Sequence, residues 1–178
     1  MILSLILSVV VAAAHPTPAA GGAMQRSSVE GCVGVQLFNG VWRLKVISID
    51  PAATYNDGTT ETGIGVKVRL SNGTGKELAP DETGFSDING TGIDLAFADD
   101  NSVNAVGSGT NLTSALLDKK LAPGAASTVT IYFPYGPDKT AKPAKLLIQV
   151  DQKSTHNYQH VSYSTKSPSF RVHLDCPA

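Results

Sequence analysis

A two-residue alternation of apolar and polar side chains is the feature that most constrains how this chain folds. A period of two places successive side chains on opposite faces of a strand, so one face packs on a core and the other meets solvent, as in antiparallel sheets. The alternation is clearest in five segments: Trp42–Val46, Ile64–Leu70, Val129–Phe133, Leu146–Val150 and Phe170–Leu174. Weaker strand patterns occur at Val33–Leu37, Asp94–Ala98 and Val161–Ser164.

Turn-forming residues separate these segments. Asn39-Gly40 lies between Val33–Phe38 and Val41–Ile49, and Asn-Gly between two strand patterns predicts a hairpin. Asn, Asp, Pro and Gly also meet at 56–58, 72–73, 89–90 and 123–124. Only Leu112–Leu121 carries leucines at a helical spacing. We therefore predict an all-β chain that forms an antiparallel β-sandwich of seven or eight strands.

The N-terminal residues predict export. Residues 1–14 contain the uncharged apolar run Ile2–Ala14, which is shorter than the ~20 residues that span a bilayer. We interpret them as a secretory signal peptide ending in small residues, although no Lys or Arg precedes the run. A buried N-terminal strand is the alternative. Residues 15–31 are rich in Pro, Gly, Ala and Ser, which predicts a flexible tether.

The two cysteines of the chain bracket the remaining domain, residues 32–176. An exported chain meets an oxidising compartment, so we expect Cys32 and Cys176 to form a disulfide bond between adjacent or facing strands. Val29-Glu30-Gly31 does not resemble a lipid-attachment signal, so a lipid anchor at Cys32 is not expected. The expected location is extracellular, at the cell surface or in the periplasm, with no transmembrane span in the mature form.

Three segments carry a family resemblance. Asn39–Val46 is a strand pattern that contains Trp, and Gly65–Lys76 is a strand pattern that runs into Asn-Gly-Thr. Leu121–Phe133 has Pro-Gly before a strand pattern that ends in Phe. This succession, over roughly residues 38–150, resembles the immunoglobulin-like sandwich of uncharacterised secreted bacterial proteins and lipoproteins, a group that includes a mycobacterial secreted antigen. The resemblance implies an immunoglobulin-like fold and no catalytic residues. The cysteine pair and the long excursion Asp81–Gly109 depart from the pattern.

No motif in the chain indicates catalysis. The sequence lacks Gly-x-Ser-x-Gly, His-Glu-x-x-His and the phosphate-binding Gly-x-x-x-x-Gly-Lys-(Ser/Thr). Gly-x-Gly at 63–65, 73–75 and 90–92 does not continue into a nucleotide-binding pattern, and we interpret these glycines as turn residues. We expect a protein that is not an enzyme. The net charge of −1 argues against a nucleic-acid partner.

Two groups of residues are candidates for ion binding. Acidic residues are dense in one stretch, where carboxylates could bind Ca²⁺ and where a solvated acidic loop is the alternative. The candidates are Asp81, Asp87, Asp94, Asp99 and Asp100. His156 and His160 have the spacing of a metal pair on a helix, but their segment carries no helix signals and a strand would hold them ~13 Å apart. Asp99, Asp100, His156 and His160 are therefore weak metal candidates, and no cofactor other than Ca²⁺ is considered.

Aromatic side chains bear on the choice of partner. Trp42 is in phase with Leu44 and Val46, so it is expected in the core. Four tyrosines are candidates for an outward-facing surface that stacks on sugar rings, and Tyr132 is the strongest because it is out of phase with its apolar neighbours. They are Tyr132, Tyr135, Tyr158 and Tyr163. We expect a non-catalytic module that binds another envelope or extracellular protein, with carbohydrate or calcium binding as the alternative. Asn72, Asn89 and Asn111 begin glycosylation sequons whose use is left open.

Overall fold

The computed structural model describes residues 28–85 and 92–176, and within them the chain forms nine strands. They are β1 (Val29–Cys32), β2 (Gln36–Phe38), β3 (Trp42–Asn56), β4 (Thr60–Asn72), β5 (Ile93–Phe97), β6 (Ser102–Asn104), β7 (Ala126–Phe133), β8 (Pro143–Ile148) and β9 (Phe170–His173). A 3₁₀ turn at Pro80–Thr83 and a π-helical turn at Thr113–Leu117 complete the regular structure of this part. The predicted signal peptide and residues 15–27 of the predicted tether lie outside the described residues.

The strands form two sheets that pack face to face. One sheet has five strands in the order β1-β9-β8-β5-β6, and the other has four in the order β2-β3-β4-β7. Neighbouring strands are antiparallel except β1, which runs parallel to β9. The predicted all-β sandwich is thus confirmed, with nine described strands instead of seven or eight. The folded part begins at Val29, three residues inside the segment predicted as tether.

The core lies between the sheets and is built by the alternating residues. Trp42, Phe133 and Phe170 are the largest of the fully buried side chains, which confirms the core position expected for Trp42. The Trp42 ring meets Phe85 edge to face at 6.0 Å, and its indole N–H donates to Thr83 Oγ1 at 3.0 Å. Because a buried indole N–H needs a partner, this hydrogen bond ties the 3₁₀ turn to the core.

The Asn39-Gly40 hairpin is confirmed between β2 and β3. Gly40 has φ +103, which favours glycine, and a Cβ there would also collide with the backbone of Ser164. The position therefore requires glycine for two separate reasons. β3 then pairs along its length with β4, with register shifts between Val46 and Ser48 and between Asp50 and Ala53. These bulges let the long strand change the direction of its side chains along the sheet.

Three predicted elements differ from the structure. Val161–Ser164 is not a strand, because Tyr163 of this segment turns inward and donates from its hydroxyl to Thr83 O at 2.6 Å. The pattern at Val33–Leu37 corresponds only to β2, since residues 33–34 form a turn. The predicted helix Leu112–Leu121 is reduced to the π-helical turn, whose Leu116 and Leu117 are buried against the core.

The predicted disulfide bond is present. Cys32 at the end of β1 is bonded to Cys176, just beyond β9, with the two Cα atoms 5.9 Å apart. The expected adjacency is also met, because β1 and β9 are neighbours in the five-stranded sheet. No helix in the described part has the length and hydrophobicity needed to cross a lipid bilayer.

Candidate functional site

The outer face of the four-stranded sheet is the surface with the most distinctive chemistry. Its residues follow from the alternation: where Leu44 and Leu70 point into the core, their strand neighbours point outward. The outward side chains of β3 and β4 include four cations, Arg43, Lys45, Lys67 and Arg69. We call these four residues the basic row.

The basic row places like charges side by side. Lys45 and Arg69 are paired in register across β3 and β4, and Lys67 follows two residues along the same face of β4. Among the described residues, no carboxylate forms a salt bridge with any member of the row. Like charges directly opposite each other on a sheet lower its stability. The packing of the core does not require cations at these outward positions.

The five-stranded sheet treats its outward charges differently. There, Arg171 of β9 forms a salt bridge and hydrogen bond with Glu30 of β1, and His173 lies 3.3 Å from the same carboxylate. Burial raises the pKa of the Glu30 carboxyl, but hydrogen bonds with His173 and Ser28 and the charge of Arg171 outweigh it and hold that pKa below the ordinary value. Lys145 of β8 forms no salt bridge with a described residue either, so what distinguishes the four-stranded face is that its cations lie side by side in the register of β3 and β4.

A shallow depression of about 260 Å³ adjoins the basic row. Its floor is formed by Gly65 of β4 and Ala53 of β3, so one outward position has no side chain and its neighbour only a methyl group. A Cβ built on Gly65 would lie 2.8 Å from Ala53 Cβ and 3.1 Å from Thr130 Cγ2. The interpretation of Gly63 and Gly65 as turn residues is therefore wrong, because both lie inside β4. Gly65 keeps the sheet face open, whereas Gly63 makes room for the Phe133 carbonyl.

Two tyrosines stand at the edge of the depression. Tyr132 of β7 is the cross-strand neighbour of Gly65, and its ring centroid lies 5.7 Å from that of Tyr55, with the planes inclined at 33°. Both rings are half-buried. Partial burial, reinforced by the carboxylates of Glu61 and Asp57, raises the pKa of the Tyr55 hydroxyl.

Polar side chains complete the rim of the depression. Ser48, Asp50, Thr54, Lys67 and Thr130 line it together with Tyr132. Asp50 Oδ1 accepts a hydrogen bond from the Ala52 backbone N–H at 3.0 Å, which orients the carboxylate. The depression thus offers hydroxyls, one carboxylate, one ammonium group and an aromatic pair over a floor of small residues.

Phe38 extends the same face on the other side of the basic row. The guanidinium carbon of Arg43 lies 4.5 Å from the centroid of the Phe38 ring. Phe38 is 44% exposed, an unusual exposure for phenylalanine in this chain. Contact with the aromatic ring fixes the aliphatic part of the Arg43 side chain and holds its guanidinium group at the protein surface.

The acidic candidates do not gather at one point. Asp81 lies in the 3₁₀ turn, Asp94 in β5, and Asp99 and Asp100 in the β5–β6 turn, whereas Asp87 lies outside the described residues. Within the part that the structure describes, no group of three His, Cys, Asp or Glu side chains is arranged to hold a metal ion. Calcium binding stays a prediction.

Local bonds account for most of the acidic side chains. Asp99 accepts from the Asn101 side chain at 2.8 Å, and Asp94 accepts from the Asn104 side chain across β5 and β6 at 2.6 Å. Burial raises the pKa of the Asp94 carboxyl despite that hydrogen bond. These contacts stabilise turns and strand pairs in the ordinary way.

His156 and His160 both lie in the long connection between β8 and β9 and are exposed. His156 is next to the Tyr158 ring, and His160 adopts a left-handed backbone conformation with φ 47. His160 lines a depression of about 520 Å³ at one end of the sandwich. The connection forms no helix there, so the four-residue spacing of His156 and His160 does not place them on one helical face.

The remaining tyrosines divide into three environments. Tyr135 donates to Pro51 O at 3.0 Å, Tyr158 is 62% exposed, and Tyr163 is 9% exposed. An outward Tyr163 is therefore a wrong prediction. Its burial raises the pKa of the phenol to about 12.

The sequons also divide by environment. Asn72 is fully buried, and its amide donates to Lys76 O and Leu121 O while its carbonyl accepts from Thr74. This side chain is committed to the structure of a turn and is closed to modification in the folded protein. Asn111 is exposed, and Asn89 lies outside the described residues.

Comparisons with known proteins bear on the fold alone. No protein-family model matches the sequence, and no curated protein matches it at a significant level. Among solved structures, the yjhA protein from Bacillus subtilis is similar with a TM-score of 0.52 and 20% identity, covering 80% of this chain and 98% of that chain. An uncharacterised β-sandwich protein from Clostridium difficile aligns with a TM-score of 0.47 and 9% identity, over 85% of this chain and 97% of that chain.

Proposed function

We propose that this protein is an exported, non-catalytic immunoglobulin-like module that binds another extracellular or envelope molecule through the outer face of its four-stranded sheet. The observation that carries the proposal is the basic row: cations in register across β3 and β4, with no carboxylate paired to them in the described part of the chain. A partner with negative charge removes the repulsion that the free protein bears.

The strand order supports the immunoglobulin-like form of the sandwich. β5, β8 and β9 are neighbours in one sheet, as strands C, F and G are in immunoglobulin domains, while β4 and β7 pair in the other sheet, as strands B and E do. The chain crosses between the sheets after β4, returns after β6 and crosses again after β7, which fits the Greek-key pattern. The family resemblance of residues 38–150 points the same way.

Export is supported by the disulfide bond and by the first residues. A bond between Cys32 and Cys176 persists in oxidising compartments and is reduced in most cytosols. The apolar run Ile2–Ala14 has the length of a signal peptide core. Cleavage there would leave a Pro- and Gly-rich tether before the domain, which suits a module held near a surface.

The proposal is tested by charge reversal. Lys67→Glu with Arg69→Glu changes two exposed side chains of the basic row, and Lys139→Glu with Lys142→Glu makes the same charge change on an exposed connection after β7. We expect the first pair to abolish retention of the protein on envelope and extracellular fractions of its source, and the control pair to retain it. Added salt should release the wild-type protein.

Equal retention of both double variants would contradict the proposal, because it would show that the basic row does not hold the partner. Signal-peptide cleavage is checked separately by the N-terminal sequence of the secreted protein. Absence of the protein from the secreted, periplasmic and surface fractions would contradict export.

A further inference from the structure

We infer that the ligand of the four-stranded face is an acidic polysaccharide, with a sugar ring seated against the Tyr55–Tyr132 pair and carboxylate or sulfate groups of the same chain lying over the basic row. This inference rests on the proposed function, since it names the class of molecule that the face binds. It depends on the position of three features along the same strands.

The first feature is the shape of the depression. Gly65 and Ala53 leave the sheet face low, and the Tyr132 ring rises beside them with its centroid 5.7 Å from that of Tyr55. A pyranose ring has apolar C–H faces and a polar circumference, so it packs with one face on an aromatic ring while its hydroxyls reach outward. An aromatic wall beside a small, polar-rimmed floor is the arrangement that this ligand needs.

The second feature is the polarity of the rim. Ser48, Thr54 and Thr130 offer hydroxyls that both donate and accept, and Asp50 offers a carboxylate held by the Ala52 N–H. Sugar hydroxyls are donors as well as acceptors, so they can satisfy a fixed carboxylate and neutral hydroxyls at the same site.

The third feature is the continuity from the depression to the cations. Gly65, Lys67 and Arg69 alternate on one face of β4, so about 13 Å separates the floor of the depression from the far cation. That distance suits a short oligosaccharide lying along the strand. Lys45, opposite Arg69, broadens the positive surface to the width of two strands.

The arrangement favours a polysaccharide over the other polyanions. Single-stranded nucleic acid would stack a base on the tyrosines, but its phosphates only accept hydrogen bonds and cannot donate to Asp50, whereas the hydroxyls of a sugar ring can. An acidic protein surface would use the basic row but has no need of an open depression beside an aromatic pair. A polysaccharide uses the rings, the carboxylate and the cations together.

The larger depressions of the described part lack this combination. One of about 470 Å³ is lined by residues 149–153 and 166–169, and the one that His160 lines contains no Phe, Tyr or Trp either. They offer polar loop surface without an aromatic wall.

The experiment measures binding of the secreted protein, with its disulfide intact, to polygalacturonate and heparin by titration calorimetry. Dextran serves as the neutral polysaccharide, poly-L-glutamate as the acidic polypeptide and a thymidine oligonucleotide as the nucleic acid. The variants are Lys67→Gln with Arg69→Gln, Tyr132→Ala, and the matched control Lys139→Gln with Lys142→Gln. Each variant is first checked for unchanged circular dichroism and Tm.

We expect the wild-type protein to bind at least one acidic polysaccharide, with salt-dependent affinity, and to bind dextran weakly or not at all. The basic-row variant and Tyr132→Ala should each weaken binding by roughly tenfold or more, a loss that corresponds to one well-made contact. The control variant should bind like the wild type. If Tyr132→Ala does not fold, Tyr55→Ala removes the other ring, and the exposed basic-row variant still tests the cations.

Three results would overturn the inference. Binding of poly-L-glutamate as tight as that of the polysaccharides, unaffected by Tyr132→Ala, would assign the face to acidic proteins. Preferential binding of the oligonucleotide would assign it to nucleic acid. Failure to bind either acidic polysaccharide would exclude this class of ligand. The proposed function would still stand if the wild-type protein were retained on the envelope fraction and Lys67→Glu with Arg69→Glu were not.

Discussion

Asn39 shows how one buried side chain can determine the geometry of a hairpin. Its carbonyl oxygen accepts from the backbone N–H groups of Val41 and Trp42 at 3.1 and 2.8 Å, and its amide donates to Pro168 O at 2.9 Å. The side chain is fully buried, so none of these three groups has water as an alternative partner. The residue therefore joins the β2–β3 turn to the segment that leads into β9.

Replacing Asn39 with Ala is expected to lower the free energy of unfolding by about 3 kcal/mol, because it leaves buried donors and an acceptor unpaired. Urea denaturation of the wild type and of Asn39→Ala measures the difference. Asn111→Ala changes an exposed asparagine and serves as the control, with an expected change within about 0.5 kcal/mol. A loss for Asn39→Ala no larger than for the control would show that the three hydrogen bonds do not contribute.

Asp81 carries a buried carboxylate oxygen that has no hydrogen-bond partner among the described residues. Burial, and then the neighbouring carboxylates of Asp118 and Glu82, raise the pKa of Asp81 above its ordinary value of 3.8. Because the folded-state pKa is the higher one, ionisation costs stability above that pKa, and the cost disappears as the carboxyl is protonated at lower pH.

Asp81→Asn is therefore expected to raise the Tm by a few degrees at pH 7, with a gain that shrinks as the pH falls through the raised pKa of the Asp81 carboxyl. Thermal unfolding of both proteins across this pH range measures the effect. Asp138→Asn is the control of opposite sign, because hydrogen bonds from Thr140 lower the pKa of that exposed carboxyl. A gain for Asp81→Asn that does not depend on pH would refute the electrostatic explanation.

At the scale of elements, the connection between β8 and β9 is held by specific side chains in addition to one antiparallel bridge between Val150 and Phe85. Residues 149–169 form no strand, yet Tyr163 donates to Thr83 O at 2.6 Å and the Asn157 amide donates to Gln152 O and Val161 O. Thr83 also accepts from the Trp42 indole at 3.0 Å. The 3₁₀ turn is thus the point at which this connection is fixed to the core.

Tyr163→Phe is expected to cost about 1–2 kcal/mol by leaving Thr83 O without its buried donor. Hydrogen exchange should increase in residues 150–168 and in the 3₁₀ turn, while β3, β4 and β7 keep their protection. Tyr158→Phe removes a hydroxyl from a side chain that is 62% exposed and is the matched control. Uniformly faster exchange across both sheets would contradict a local anchoring role.

The elements also show which parts of the fold were readable from sequence. The five alternating segments appear as β3, β4, β7, β8 and β9, because every second residue of each is buried. The sequence does not predict β1 or β6, since segments as short as Val-Glu-Gly-Cys show no pattern and pair only because β9 and β5 lie beside them. The depression is not predictable either, because Gly65 opens the sheet face only once β3 and β7 flank it.

At the scale of the whole molecule, a net charge of −1 conceals an uneven distribution. The four cations of the basic row share one face without a paired carboxylate in the described part, whereas on the other face Glu30 pairs with Arg171. Composition gives the sum of the charges and excludes a strongly basic protein, but only the register of β3 with β4 shows which charges share a face. The charge-reversal variants measure whether that face binds an anionic partner.

The disulfide bond acts on the whole molecule because it joins the two ends of the folded part. Cys32 and Cys176 are separated by 144 positions, so the bond closes almost the entire domain into one loop. In the chain-entropy description, restricting so long a loop in the unfolded chain stabilises the folded state by at most about 5 kcal/mol. The bond also fixes β1 against β9 at the edge of the five-stranded sheet, where only four residue pairs hold it.

Cys32→Ser with Cys176→Ser is expected to lower the free energy of unfolding by several kcal/mol, up to about 5, and to leave the outer face of the four-stranded sheet intact. Urea denaturation of the double variant, beside the wild type with and without reductant, measures the loss. Reduced wild type should match the double variant, since both lack the same constraint. Affinity for the ligand, measured well below the denaturation midpoint, should stay unchanged, because β3, β4 and β7 lie in the other sheet. Loss of ligand binding in a variant that still unfolds cooperatively would show that the two sheets are coupled and that the site extends to the β1 edge.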